Sequence, residues 1–219
     1  MDLTLLSLAT LPPIILLYFV YSKDLYEKEP RHLIIKSFAF GVLGFIPIYI
    51  IEVSTSSMFE SLFWFMLIGV AFVEEGVKFL ILRYYMYNKS DFNEPYDGIV
   101  YAVAISLGFA FIENIGYVYN YAPGSEYSVA IARMFTAIPM HAACGVIMGY
   151  YVGLAKFSSD KGSSYIVYAL FFATLLHGLY NYFMLLGFTE IIAIIILIVG
   201  ISYARKAINM HQQNSPFKK

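Results

Sequence analysis

Glu74 and Glu75 in FVEEGVKFLIL, Glu113 in GFAFIENIGY, His141 in IPMHAACGV and His177 in ATLLHGLYNY are ionisable side chains set in otherwise apolar stretches. Ionisable groups inside a membrane span are costly, so they are rare there and mark functional sites. Carboxylates and imidazoles can move protons, hold a metal and stabilise an anion near neutral pH. Five of them on four stretches predict one site assembled by helix packing. Lys78 follows Glu74 by four residues and Glu75 by three, so on a helix it meets both. One buried ion pair needs only one glutamate. The second carboxylate is surplus, and crowded carboxylates can leave one suited to act as a general base. His177 and Asn181 are spaced i,i+4, which lets the amide hold the imidazole in one orientation. Asn114 adjoins Glu113, and His141 has no charged neighbour within seven positions. The bland alternatives are a self-neutralising ion pair, a hydrogen-bonded Glu113 and a packed His141. The EExxK spacing would mean little on a soluble helix; inside a span it favours function.

The elements that must position these residues are membrane helices. Of the 219 residues 60% are hydrophobic and only 13% charged, with mean hydropathy +0.69. Soluble domains carry about 25% charged residues, so a soluble globular domain is excluded. The predicted fold is all-α: a polytopic membrane helix bundle of about seven transmembrane helices. A span needs roughly 20 apolar residues, and the stretches that qualify are 3–22, 34–53, 59–82, 97–120, 128–154, 164–186 and 189–208. The last two are expected to form a tight hairpin. The first is read as a permanent span, because it lacks the basic start of a cleavable leader. Residues 1–208 form a single transmembrane domain, and the polar tail 209–219 is expected to be disordered.

Seven spans put 12 of the 14 Lys and Arg on one side: Lys23, Lys28, Arg31, Lys36, Arg83, Lys89, Lys156, Lys161, Arg205, Lys206, Lys218 and Lys219. Positive residues mark the cytoplasmic side, which places the N-terminus outside and the C-terminus in the cytoplasm. The opposite loops carry Glu52, Glu60, Glu126 and Glu190. Arg133 is expected to snorkel to the outer interface, whereas Lys78 is committed to the glutamates. Asp97 reads as a carboxylate favoured at a helix N-terminus. Cys144 reads as a packing residue, and Gly108, Ala110, Gly145 and Gly149 as sites of close helix approach. The net charge of −1 points to no nucleic acid. At about 1.5 Å per residue, the histidines fall near the midplane, Glu74 and Glu75 nearer the cytoplasm, and Glu113 nearer the outside. A single site therefore requires kinks or tilts.

EEGVK at 74–78, FAFIEN at 109–114, His141 and HGLYN at 177–181 resemble the PrsW family of bacterial intramembrane proteases, as do KDLYEKEP in the first loop and PYDGIVYA at 95–102. The resemblance covers nearly the whole chain. The related CAAX-protease and bacteriocin-processing group has the pattern EExxxR, FxxxH and HxxxN. Here Lys78 comes one residue early for the Arg, and Glu113 replaces the His of FxxxH, which favours PrsW. The resemblance implies a bacterial plasma-membrane protease performing site-1 cleavage of a single-span anti-sigma factor in a stress response. Cleavage on the extracytoplasmic side then leads, after a second protease, to sigma-factor release.

Peptide hydrolysis needs an activated water, oxyanion stabilisation and a proton for the leaving amine. The expected base is Glu74 or Glu75, with Glu75 preferred. Lys78 pairs with the other glutamate, Asn181 orients His177, and Glu113 with Asn114 completes the cluster. In one version His141, His177 and Glu75 bind zinc with an open position for water; in the other the histidines bind the oxyanion without a metal. HExxH is absent, which excludes the zincin arrangement. A proton-coupled transporter using the Glu and His residues as a relay is the main alternative, but no internal repeat supports it. A non-enzymatic membrane protein is the other.

Overall fold

The computed structural model describes residues 2–120 and 123–218, and among these the regular structure is entirely helical. The elements are α1 (Leu3–Ser22), α2 (Arg31–Thr55), a helical stretch α3 over residues 62–86, α4 (Pro95–Asn120), α5 (Glu126–Phe135), α6 (Ala137–Phe157), α7 (Gly162–Leu185) and α8 (Glu190–Gln213). Local chemistry sets several boundaries. Asp2 caps α1, its Oδ1 accepting from Thr4 N at 2.9 Å, which satisfies a donor the helix leaves free. The hairpin between α7 and α8 turns at Gly187 with φ +72°, a conformation glycine adopts without steric cost, and Thr189 Oγ1 donates to Phe183 O at 3.0 Å.

Among the described residues six stretches are long and apolar enough to cross a membrane, with Glu126–Phe157 taken as one. The third expected span, 59–82, corresponds to α3, whose hydrogen bonding alternates: an α turn at Leu62–Trp64, π-helix over Phe65–Phe72, α-helix over Val73–Ile81 and π-helix over Leu82–Met86. Runs of π-helix are rare and concentrate at functional sites. This agrees with a many-span membrane bundle. The bundle is layered around α4 and α6. In the apolar window of α4, 78% of residues are buried, against 22% in α1 and α2 and 28% in α7 and α8. Apolar side chains such as Leu43, Phe171, Ile195 and Val199 cover the outside, as expected of a surface that meets lipid.

Small residues let the central helices touch through their backbones. A Cβ on Gly149 would collide with the carbonyl of Gly98, and one on Gly108 with the carbonyl of Phe38. Cys144 is buried against Met140 and the Ala173 carbonyl, the packing role expected of it. Two expectations need correction. The fifth span, 128–154, is two helices: α5 ends before Thr136 (φ −122°, ψ −73°), where α6 begins. Pro139 has no N–H to give the Phe135 carbonyl, and its ring crowds that carbonyl, so the helix breaks three residues upstream. The tail expected to be disordered from residue 209 continues α8 to Gln213. His211 is buried in it, stacked on Tyr150 at 4.5 Å and bonded through Nε2 to the Tyr150 carbonyl at 2.9 Å. Residue 219 lies outside the described residues.

Candidate functional site

Between its two π-helical stretches, α3 presents Glu74, Glu75 and Lys78 to the interior. At 3.6 residues per turn Lys78 falls angularly between the two glutamates, and its Nζ reaches both: Glu74 Oε2 at 3.0 Å and Glu75 Oε1 at 2.8 Å. The spacing put Lys78 within reach of both carboxylates, and it binds both. Its ammonium also sits 4.2 Å above the Phe109 ring and 3.4 Å from His141 Nδ1.

His141 stands in the second turn of α6, just past the break at Thr136, and its backbone carbonyl accepts from Ser106 Oγ of α4 at 2.7 Å. An ammonium can only donate, so Nδ1 accepts from Lys78. His141 Nε2 then carries the proton and donates to Glu113 Oε2 at 3.0 Å. His177 comes from α7, which approaches α3 closely at the next residue: a Cβ on Gly178 would lie 2.6 Å from Leu67 Cδ1. That approach lets His177 Nδ1 meet Glu75 Oε1 at 2.9 Å, with Nε2 facing Glu74 Oε1 at 3.9 Å. The two imidazoles meet edge to face at 5.0 Å.

A continuous polar chain thus runs from His177 through Glu75, Lys78 and His141 to Glu113. Lys78 spans the depth difference between the glutamate pair and Glu113, because its long side chain reaches from α3 across to α6. The cluster is closed at one end and opens at the other. The side chains of Glu74, Glu75, Lys78, His141 and His177 are 0–3% exposed, whereas Glu113 and Arg133 are each 14% exposed.

Sequence reasoning placed two residues, Arg133 and Glu52, in the wrong environment. Arg133 does not snorkel. Its NH2 binds Glu113 Oε2 at 2.6 Å, its Nε binds Asn114 Oδ1 at 2.7 Å, and its guanidinium lies 3.9 Å from the Tyr117 ring centre. Asn114 Nδ2 donates onward to the Ala9 carbonyl of α1 at 2.8 Å. Glu52, assigned to an outer loop, is in α2, close enough to Glu74, Glu113 and Lys78 to feel their charge, and among the described residues its buried Oε1 has no partner. A lone charge near a predicted span end gives no sign of facing inward, so only its breach of the charge asymmetry pointed to Arg133. Asn181 is not a hydrogen-bond partner of His177; Glu75 holds that ring instead.

Two observations bear on a metal. Glu74, Glu75, His141 and His177 each offer a ligand atom within 4.8 Å of the others, and two carboxylates with two imidazoles are donor types that zinc takes. Among the described residues Glu75 Oε2 is buried with no hydrogen-bond partner, a costly state for a carboxylate oxygen. The donor set therefore fits a zinc-like ion. The Lys78 ammonium lies against three of the four donors, so an ion would have to share them with it.

Comparison with known proteins finds relatives over most of the chain. The model of the PrsW family intramembrane metalloprotease matches residues 29–204. The chain is 38% identical to Protease PrsW of Geobacillus kaustophilus over 184 residues, covering 83% of this chain and 80% of that protein. It is 40% identical to Protease PrsW of Oceanobacillus iheyensis over 190 residues, 86% of each. It is 34% identical to Protease PrsW of Clostridioides difficile over 206 residues, 91% of this chain and 86% of that protein. No solved structure matches it.

Proposed function

Because the chain belongs to the PrsW family of intramembrane proteases and is a peptidase, we propose that it cleaves a single-span anti-sigma factor in a bacterial plasma membrane, with Glu75, Glu74, His141, His177 and Glu113 as its catalytic cluster. The observation that carries this reading is the partnerless Oε2 of Glu75 inside a set of four convergent donors. That oxygen has a lone pair free for a water, while the other oxygen is fixed by Lys78 and His177. Glu75 is thereby held as a general base, the role peptide hydrolysis requires.

His141, His177 and a carboxylate of Glu74 or Glu75 would hold a zinc-like ion. When bound, such an ion supplies Lewis acidity for the scissile carbonyl and acidifies a water. The chain's own groups do the rest. Glu75 Oε1 accepts from His177 Nδ1, which leaves the Nε2 lone pair directed at the centre. Lys78 keeps the two carboxylates from separating and balances their charge. Glu113, gripped by Arg133, fixes the His141 tautomer and orientation. Once the base has taken a proton from water, that proton can pass to the leaving amine.

Exposure on the Glu113–Arg133 side supports entry of the substrate from that side. With the N-terminus outside and the C-terminus cytoplasmic, it is the extracytoplasmic side, where the cut peptide would lie just beyond its span. The test uses the purified protein in detergent with a single-span anti-sigma factor, comparing wild type, Glu75→Gln and His177→Ala, each with and without a zinc chelator. Loss of cleavage in both folded variants and in chelated wild type is expected. Equal cleavage by the folded variants would place the chemistry elsewhere, and cleavage indifferent to the chelator would remove the metal.

A further inference from the structure

A second group of carboxylates lies about 24 Å along α4 from Glu113, taking 1.5 Å per residue from Asp97. Asp24, Glu27 and Glu29 come from the loop between α1 and α2, while Glu94 and Asp97 come from the entry to α4. Both segments belong to motifs singled out in the sequence, KDLYEKEP and PYDGIVYA, that the catalytic cluster does not use. Asp24, Glu29, Glu94 and Asp97 are at most 1% exposed. Among the described residues none of the five makes an ion pair with Lys, Arg or His. Lys156 is close enough to feel Asp97 and Glu29, but it donates to the Tyr87 carbonyl and sits 4.3 Å from the Phe92 ring centre.

The hydrogen bonds that do exist leave one side of the group bare. Asp97 Oδ2 accepts from Asn93 N and Glu94 N, each at 2.7 Å. Asp24 Oδ2 accepts from Glu29 N at 3.3 Å, and Glu94 Oε2 from Ser215 Oγ. Among the described residues no side-chain or backbone donor reaches Asp97 Oδ1, Asp24 Oδ1, Glu27 Oε2 or either carboxylate oxygen of Glu29, and the Glu29 and Asp97 carboxyl groups lie within hydrogen-bonding reach of each other. Glu27, Glu29 and Asp97 each bring a ligand oxygen within 4.8 Å of the others. Buried carboxylates this close repel one another unless a cation or a shared proton lies between them. An all-oxygen, carboxylate-only donor set suits a hard cation such as calcium or magnesium rather than a thiolate- or imidazole-seeking metal.

We propose that Glu27, Glu29 and Asp97 form a site for a hard divalent cation, calcium or magnesium, that fastens the first loop to the start of α4. Its place in the fold makes it structural. Tyr21 already donates to the Glu29 carbonyl at 3.1 Å and Tyr96 to the Val20 carbonyl at 3.0 Å, so the loop is held on both flanks and the ion closes the centre. Half-buried Glu27 is the route by which the ion exchanges with solvent.

The experiment is a melting titration of the full chain in detergent after chelation, with calcium and magnesium added separately from micromolar to millimolar. The forms compared are wild type, Glu29→Gln, Asp97→Asn, Glu27→Gln and Glu75→Gln. A saturable rise in melting temperature with one or both ions is expected in wild type and Glu75→Gln, with none in Glu29→Gln or Asp97→Asn and at least a tenfold weaker midpoint in Glu27→Gln. If the first two variants do not fold, Glu27→Gln decides, and an unchanged midpoint there overturns the site. A rise lost in Glu75→Gln but kept in the loop variants puts the ion at the catalytic cluster and overturns it too. No rise with either ion in wild type means that Glu29 and Asp97 share a proton instead.

Discussion

Lys78 carries more of the cluster than any other side chain. It neutralises two buried carboxylates and bridges them to the His141 ring, so removing its ammonium leaves both charges uncompensated in an apolar interior. Breaking a buried pair from one side costs about 3–5 kcal/mol. Lys78→Met is therefore expected to lower the melting temperature strongly without added metal. If an ion and the ammonium share donors, zinc should then restore stability to the variant more than it raises that of the wild type. A zinc titration of both proteins by calorimetry checks this, and equal shifts would mean that the two do not compete. Arg133 acts at one remove, through Glu113 and Asn114. Arg133→Gln keeps a donor but loses the charge. It should reduce kcat by roughly tenfold or more while leaving KM nearly unchanged, since it alters orientation of the His141 ring rather than substrate contacts.

At the scale of elements, the site depends on two interruptions. The π-helical turns of α3 flank the stretch that turns Glu74, Glu75 and Lys78 inward. The break at Thr136 starts α6 afresh just before His141. The third support is the close approach of α7 to α3 at Gly178. Gly178→Val would force Leu67 and α7 apart, separating His177 from Glu75. Overpacking of this kind costs about 1–3 kcal/mol, so a folded protein with cleavage reduced by a factor of 100 or more is expected. A cleavage assay beside a melting curve distinguishes this from simple unfolding. Were Gly178→Val fully active, the His177–Glu75 contact would not be needed for catalysis.

For the whole molecule, the burial contrast between α4 and the peripheral helices describes a bundle wrapped around a buried central helix, its polar cluster set in an apolar interior and its exterior apolar. The proposed orientation can be tested by single cysteines placed at Ser125 and at Ser158 in a chain with Cys144 replaced. A membrane-impermeant thiol reagent applied to intact cells should label the first and spare the second. The reverse pattern would invert the topology and place the Glu113–Arg133 opening on the cytoplasmic side.

The many-span helical class was legible in the sequence because lipid leaves a chain few options: long apolar runs must satisfy their own backbone, and charged residues collect in the loops. The convergence of Glu74, Glu75, Glu113, His141 and His177 was legible for the same reason, since a carboxylate or imidazole in such a run is conspicuous, and the spacing of EEGVK already pairs both glutamates with Lys78. Contacts between helices were not. That Glu75 rather than Asn181 holds His177, that Arg133 turns in to grip Glu113, and that Glu52 approaches the cluster depend on helix rotation and depth. Hydropathy is insensitive to both. They are decided by where glycines let backbones meet, where Pro139 interrupts a helix, and how far a lysine side chain reaches between neighbours, and these are properties of packed helices rather than of any one segment.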